Sequence, residues 1–191
     1  MRKMAANSKI ESAVDPVRVE RIVVERGRLA CYVVVAEPRY RYVWRDLAKT
    51  VRESYPSLVR HSCVNARSRR FATVMDETST PHLLEHIAID IQVHQSKEGM
   101  SFVGATEWLD EANGRALVQL SFIDDLEALG AFKAALVFLN EALVSCGDSE
   151  GNGPNDTHDD SYVNEAVTIR ESLNKCSADS SALDYNRPIV K

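Results

Sequence analysis

Three side chains that can do chemistry together lie within five residues: His82-Leu83-Leu84-Glu85-His86. A helix turns once in about 3.6 residues, so a helical conformation would stack the rings of His82 and His86 on one face. Two imidazoles at that spacing can reach one metal ion, and Glu85 would stand beside them, able to take a proton from water.

This is the H-x-x-E-H arrangement of inverted zinc peptidases, in which the histidines are ligands and the glutamate is the general base. Zinc is the cofactor the motif implies, because it brings the pKa of bound water down to about 7. The alternative is a histidine pair that is merely solvated or packed. A hydrolytic zinc site also needs a third protein ligand. The acidic start of the last expected helix offers Glu127 first and Asp125 second, with Glu107 and Asp90 behind them. The helix dipole alone would also account for Asp125 and Glu127.

The segment 80–95 is well marked as the helix that must carry the motif. Thr80 is placed to cap it, Pro81 suits the first turn, and Leu83, Leu84, Ile87, Ile91 and Val93 give it a broad apolar surface. Around it, 17–24 and 29–36 are rich in β-branched residues and read as a hairpin turning at Gly27. Val43, Leu47 and Val51 predict a helix ending before Pro56. Residues 101–108 and 115–122 predict a second hairpin through Asn113-Gly114. A last helix then opens at Asp124-Asp125 and runs to Cys146. The expected class is α+β: one domain over 15–146, in β-β-α-α-β-β-α order, with helices packed on an antiparallel sheet. Residues 1–14 are expected to be loose, and 147–191, poor in large apolar side chains, to be largely disordered.

Composition narrows the partners. Of 191 residues, 45% are hydrophobic and 27% charged, and the net charge is −5, which argues against nucleic acid. No uninterrupted apolar run suggests a membrane span, and no apolar stretch follows the basic start as in a secretory signal, so a cytoplasmic location is expected. Cys31, Cys63, Cys146 and Cys176 form no C-x-x-C pair and are expected to be free thiols. Nothing in the sequence sets the oligomeric state.

One stretch carries a resemblance. Pro56-Ser57-Leu58, His61-Ser62-Cys63, Phe71, and the run from Thr80 to Gln92 resemble the N-terminal domain of cyanophycin synthetase. Val118-Gln119-Leu120-Ser121-Phe122 with the alanine-rich helix after it looks like that domain's end. The synthetases polymerise aspartate and arginine with an ATP-grasp and a Mur-ligase-like domain. Neither is found here, so this chain is not a complete synthetase. The resemblance implies contact with a polypeptide such as an Asp/Arg-rich polymer. It further implies a metallopeptidase-like site at His82, Glu85 and His86 that cuts it.

Where the family carries glycines, this chain has Arg69-Arg70, which could hold substrate carboxylates in bidentate contacts or simply form a solvated basic loop. His61 could touch substrate or metal, as could Cys63, although both are expected to be structural, in a loop tucked against the helix. Two functional classes follow: a metal-dependent peptidase-like hydrolase, or a non-catalytic polymer- or partner-binding module.

Overall fold

A computed structural model describes residues 15–63, 70–97 and 99–147. Strands β1 (Val17–Glu25) and β2 (Arg28–Val35) form the first hairpin. Helices α1 (Arg45–Ser54) and α2 (Thr80–Gln95) follow, separated by short 3₁₀ turns at Pro56–Arg60 and Phe71–Thr73. Strands β3 (Gly104–Asp110) and β4 (Arg115–Ser121) make the second hairpin, and α3 (Asp125–Gly147) closes the order. The expected α+β class and the β-β-α-α-β-β-α order are both present. The expectations for 1–14 and for 148 onward, Cys176 among them, lie outside the described residues.

The sheet is antiparallel in the order β1-β2-β4-β3. The two hairpins therefore join through their second strands, with Cys31 opposite Val118 and Leu29 opposite Leu120. Both central strands bury most of their side chains, while β1 and β3 are edges and stay largely exposed. The helices cover one face. α2 packs over β3 and β4, α3 over β1 and β2, and the two helices pack on each other.

α2 is buried nearly all round, from Thr80 to Gln92, because α3 and the sheet enclose it on two sides and the 3₁₀ turns on a third. A helix in that position must be apolar on every face except where polar groups find partners. Its N-cap is Ser79, not Thr80: Ser79 Oγ accepts from the His82 backbone N–H, while Thr80 Oγ1 donates to the Tyr40 carbonyl at 2.5 Å. Backbone bonds from Val43 N–H to Thr78 O and from Thr80 N–H to Arg41 O anchor this start to the chain before α1.

β3 begins at Gly104, three residues later than the sequence predicts. α3 corrects another expectation. Its 23 residues are long and apolar enough, by length and composition, to cross a membrane. Alanines between the larger residues raise its hydropathy although Glu127, Lys133 and Glu141 interrupt the run. One face, with Ala128, Phe132, Ala135, Leu139 and Leu143, belongs to the core.

Candidate metal centre

The chain approaches α2 from outside in the segment His61-Ser62-Cys63. His61 has extended backbone (φ −61°, ψ 138°). Ser62 forms an isolated bridge with Arg70, and Phe71 N–H donates to His61 O at 3.0 Å. In extended chain residues two apart share a face. His61 and Cys63 both point inward to α2, and Ser62 is exposed. On α2, His82 and His86 share a face through the i, i+4 spacing. A period of two on one segment thus meets a period of four on the other.

Cys63 Sγ lies 3.5 Å from His82 Nε2. Donor atoms of Cys63, His82 and His86 all fall within 4.8 Å of one another. A tetrahedral ion with a thiolate at about 2.3 Å and an imidazole at about 2.05 Å separates those two atoms by about 3.6 Å. The three side chains could therefore hold a metal ion. Cys63 and Phe71 also wall the histidines: Phe71 stacks on His86 with centroids 3.7 Å apart at 21° and meets His82 edge-on at 5.5 Å.

Each histidine has its second nitrogen engaged. His82 Nδ1 is 2.7 Å from Thr78 Oγ1, and His86 Nδ1 is 3.3 Å from His61 Nδ1. Burial lowers the pKa of His82 to about 4. Burial lowers that of His86 to about 2, with help from the charges that His82 and His61 would carry. Both rings are thus neutral near pH 7, the form in which a ring nitrogen can donate its lone pair.

Glu85 points to β3. Its Oε2 accepts from Thr106 Oγ1 at 2.6 Å, and a Cβ placed on Gly104 would stand 2.6 Å from its Cγ and Oε1. Gly104 therefore leaves the room that the carboxylate fills. Burial raises the Glu85 pKa to about 7, against the lowering effect of the Thr106 bond. Glu85 is outside the donor group formed by Cys63, His82 and His86. Asp90, one turn past His86, is held below the usual carboxylate range. Burial pushes it up, but hydrogen bonds from His61 and Ser57 and the neighbouring His61 and His94 outweigh that.

The expected third ligands are not in the group. Asp125 and Glu127 are exposed in the first turn of α3, where Asp124 Oδ1 accepts from the Leu126 and Glu127 backbone N–H groups. Their acidity suits the helix N-terminus. The third member of the group is instead Cys63, for which contact with metal was one expectation and a structural role the preferred one. Its signal in the sequence was its spacing of two from His61 beside a conspicuous histidine helix, which says nothing of distance until the loop is folded. His61, expected as a substrate contact, has both ring nitrogens engaged, Nδ1 with His86 and Nε2 with Asp90. Arg70 is exposed and accepts from Thr73 through its carbonyl, and Arg69 lies outside the described residues. Glu107 is exposed on β3, and His94 is largely exposed, its Nδ1–H donating to Asp90 O at 2.7 Å.

The family model described as cyanophycin synthase-like N-terminal domain matches residues 42–144. That span takes in α1, α2, both strands of the second hairpin and nearly all of α3. A search of curated proteins finds no match.

Proposed function

Because this chain belongs to the cyanophycin synthase-like N-terminal domain family, we propose that it is a metal-dependent, peptidase-like hydrolase acting on a polypeptide such as an aspartate- and arginine-rich polymer. The observation that carries this reading is the meeting of Cys63, His82 and His86 within 4.8 Å, with Glu85 on the adjacent face of the same helix. Cys63, His82 and His86 would hold a zinc-type ion, which when bound supplies Lewis acidity to water and to a scissile carbonyl.

The protein's own part is proton handling. Thr106 holds Oε2 of Glu85, and Oε1 would be the oxygen that takes a proton from the attacking water. A carboxylate whose pKa sits near 7 can both accept that proton and return it to the leaving amine, since general acid–base catalysis is most effective when the catalytic pKa lies near the working pH. Burial supplies that tuning here. Phe71 and Thr78 fix the ring planes of the histidines, so the ligands need no reordering when substrate arrives.

One observation favours a second reading, a non-catalytic polymer- or partner-binding module. His86 and Glu85 are each only 4% exposed, which suits a structural ion as well as a reactive one. The test is metal analysis of untagged protein, together with hydrolysis of an Asp/Arg polymer by wild type and Glu85→Gln. The hydrolase reading expects about one metal per chain in both proteins and cleavage only by wild type. Metal in both with cleavage in neither, alongside polymer binding, establishes the module. Equal cleavage by both proteins rejects Glu85 as base.

A further inference from the structure

We propose that His61 and Asp90 are positioning residues of the metal centre, a carboxylate–imidazole pair that sets the tautomer of His86 and aims its Nε2 at the ion. The inference rests on the metal-centre reading above and deepens it.

The geometry is a chain of three side chains. Asp90 Oδ1 stands 3.0 Å from His61 Nε2, and His61 Nδ1 stands 3.3 Å from His86 Nδ1. A carboxylate can only accept, so His61 Nε2 carries the proton and donates it to Asp90. A neutral ring protonated at Nε2 has its lone pair at Nδ1. Two ring nitrogens in contact need one proton between them, so His86 Nδ1–H donates to His61. That leaves His86 Nε2 bare, the form a metal requires. A donor at His61 Nδ1 would reverse the sequence and put the His86 proton on Nε2, where it would block an ion.

Asp90 is equipped to polarise this chain. Its side chain is 4% exposed, Ser57 also donates to it, and His94 Nδ1 lies 3.4 Å from Oδ2. It sits four residues after His86 on α2, so the two ends of the chain are mounted on one rigid helix. His61 bridges them from the opposing segment. The same segment delivers Cys63 two residues later, so the ligand and the orienting imidazole are placed by one piece of backbone. His82 needs no such bridge, because Thr78 engages its Nδ1 directly at 2.7 Å. Ligating histidines generally donate their second N–H to such a partner, and losing the partner typically weakens metal binding 10–100-fold.

The experiment uses untagged, metal-stripped full chain. Zn²⁺ affinity is measured by competition with a chromophoric chelator for wild type, His82→Ala, His61→Ala, His61→Gln and Asp90→Asn, and Co²⁺ absorption spectra report the ligand set. His61→Ala should weaken Zn²⁺ on the order of 10–100-fold while keeping the thiolate–cobalt band. His61→Gln, whose amide can donate to Asp90 and accept from His86, should recover most of that loss. Asp90→Asn should fall between. Unchanged affinity in His61→Ala overturns the proposal, as does a cobalt spectrum showing that His61 is itself a ligand. If His61→Ala does not fold, Asp90→Asn at wild-type affinity overturns it. Wild type that binds no Zn²⁺, or His82→Ala that binds as tightly as wild type, removes the metal centre itself and this inference with it. Those results are distinct from tight wild-type binding that His61→Ala leaves intact.

Discussion

Cys63 Sγ stands 3.5 Å from His82 Nε2, across 19 residues of chain. That separation is close to the edge of a zinc-type tetrahedron, whereas the acidic first turn of α3 lies outside the donor group. Cys63→Ala should therefore weaken Zn²⁺ binding on the order of a hundredfold or more, as loss of one of few ligands does. Asp125→Asn and Glu127→Gln should leave it unchanged. Chelator competition on the three variants checks this. A Cys63→Ala protein with wild-type affinity would return the third ligand to a carboxylate. Cys31 is the internal control: burial in the sheet pushes its thiol up to about 12, so it should stay inert to thiol reagents with or without metal.

The helix that carries the site was readable because its signals are local. Pro81 in the first turn, the apolar residues from Leu83 onward and the i, i+4 histidines all act over a few residues. The hairpins were readable for the same reason, through Gly27 and Asn113-Gly114. The place of Cys63 beside the two histidines was not, because its position depends on two 3₁₀ turns and on the Phe71-to-His61 backbone bond, contacts that no periodicity announces. The role of Glu85 was half legible: its type and place were plain, but the pocket made by Gly104 and Thr106 comes from a strand about 20 residues further on. The acidic residues of α3 misled because one composition serves both helix capping and metal ligation. The apolar character of α3 as a whole was missed because its small residues do not form an unbroken run.

Glu85 also gives the metal-free protein a specific pH signature. Its folded pKa is pushed up to about 7 by burial, against an ordinary value of 4.5. Below pH 4.5 both states hold the proton. As pH rises from 4.5 to 7 the unfolded chain releases it first, so the folded state loses stability, and the loss is complete above the folded value. At 1.36 kcal/mol per pKa unit this reaches about 3 kcal/mol. Glu85→Gln has no such proton to lose. His82 and His86, depressed by burial, act with the opposite sign at acid pH, since unfolding lets them take up protons there. They are common to both proteins and cancel in the difference. Urea denaturation at pH 4.5, 6 and 8 in the presence of a chelator should show wild type losing ground to Glu85→Gln by up to about 3 kcal/mol. A pH-independent difference would mean that the carboxyl is hydrated in solution.

Gly104 tests the placement of Glu85 without touching any donor atom. A methyl there would come within 2.6 Å of Glu85 Cγ and Oε1 and 2.7 Å of Cδ. The backbone angle is one that alanine adopts, so the effect is purely one of space. The carboxylate cannot retreat without breaking the 2.6 Å bond from Thr106. Gly104→Ala should therefore cost about 1–3 kcal/mol of stability, the usual range for overpacking, and lower hydrolysis by about 100-fold through misplacement of the base. Zn²⁺ affinity should hold, because the three atoms nearest the added methyl all belong to Glu85 and none to Cys63, His82 or His86. Shortening the opposing side chain provides the decisive comparison. In a Glu85→Ala background the three atoms nearest the added methyl are gone, so the stability cost of Gly104→Ala should largely vanish, a coupling on the order of 1–3 kcal/mol between the two positions. Melting temperatures of the two single variants and the double variant measure it. Additive costs would show that the glycine is required for something other than the room it leaves the carboxylate.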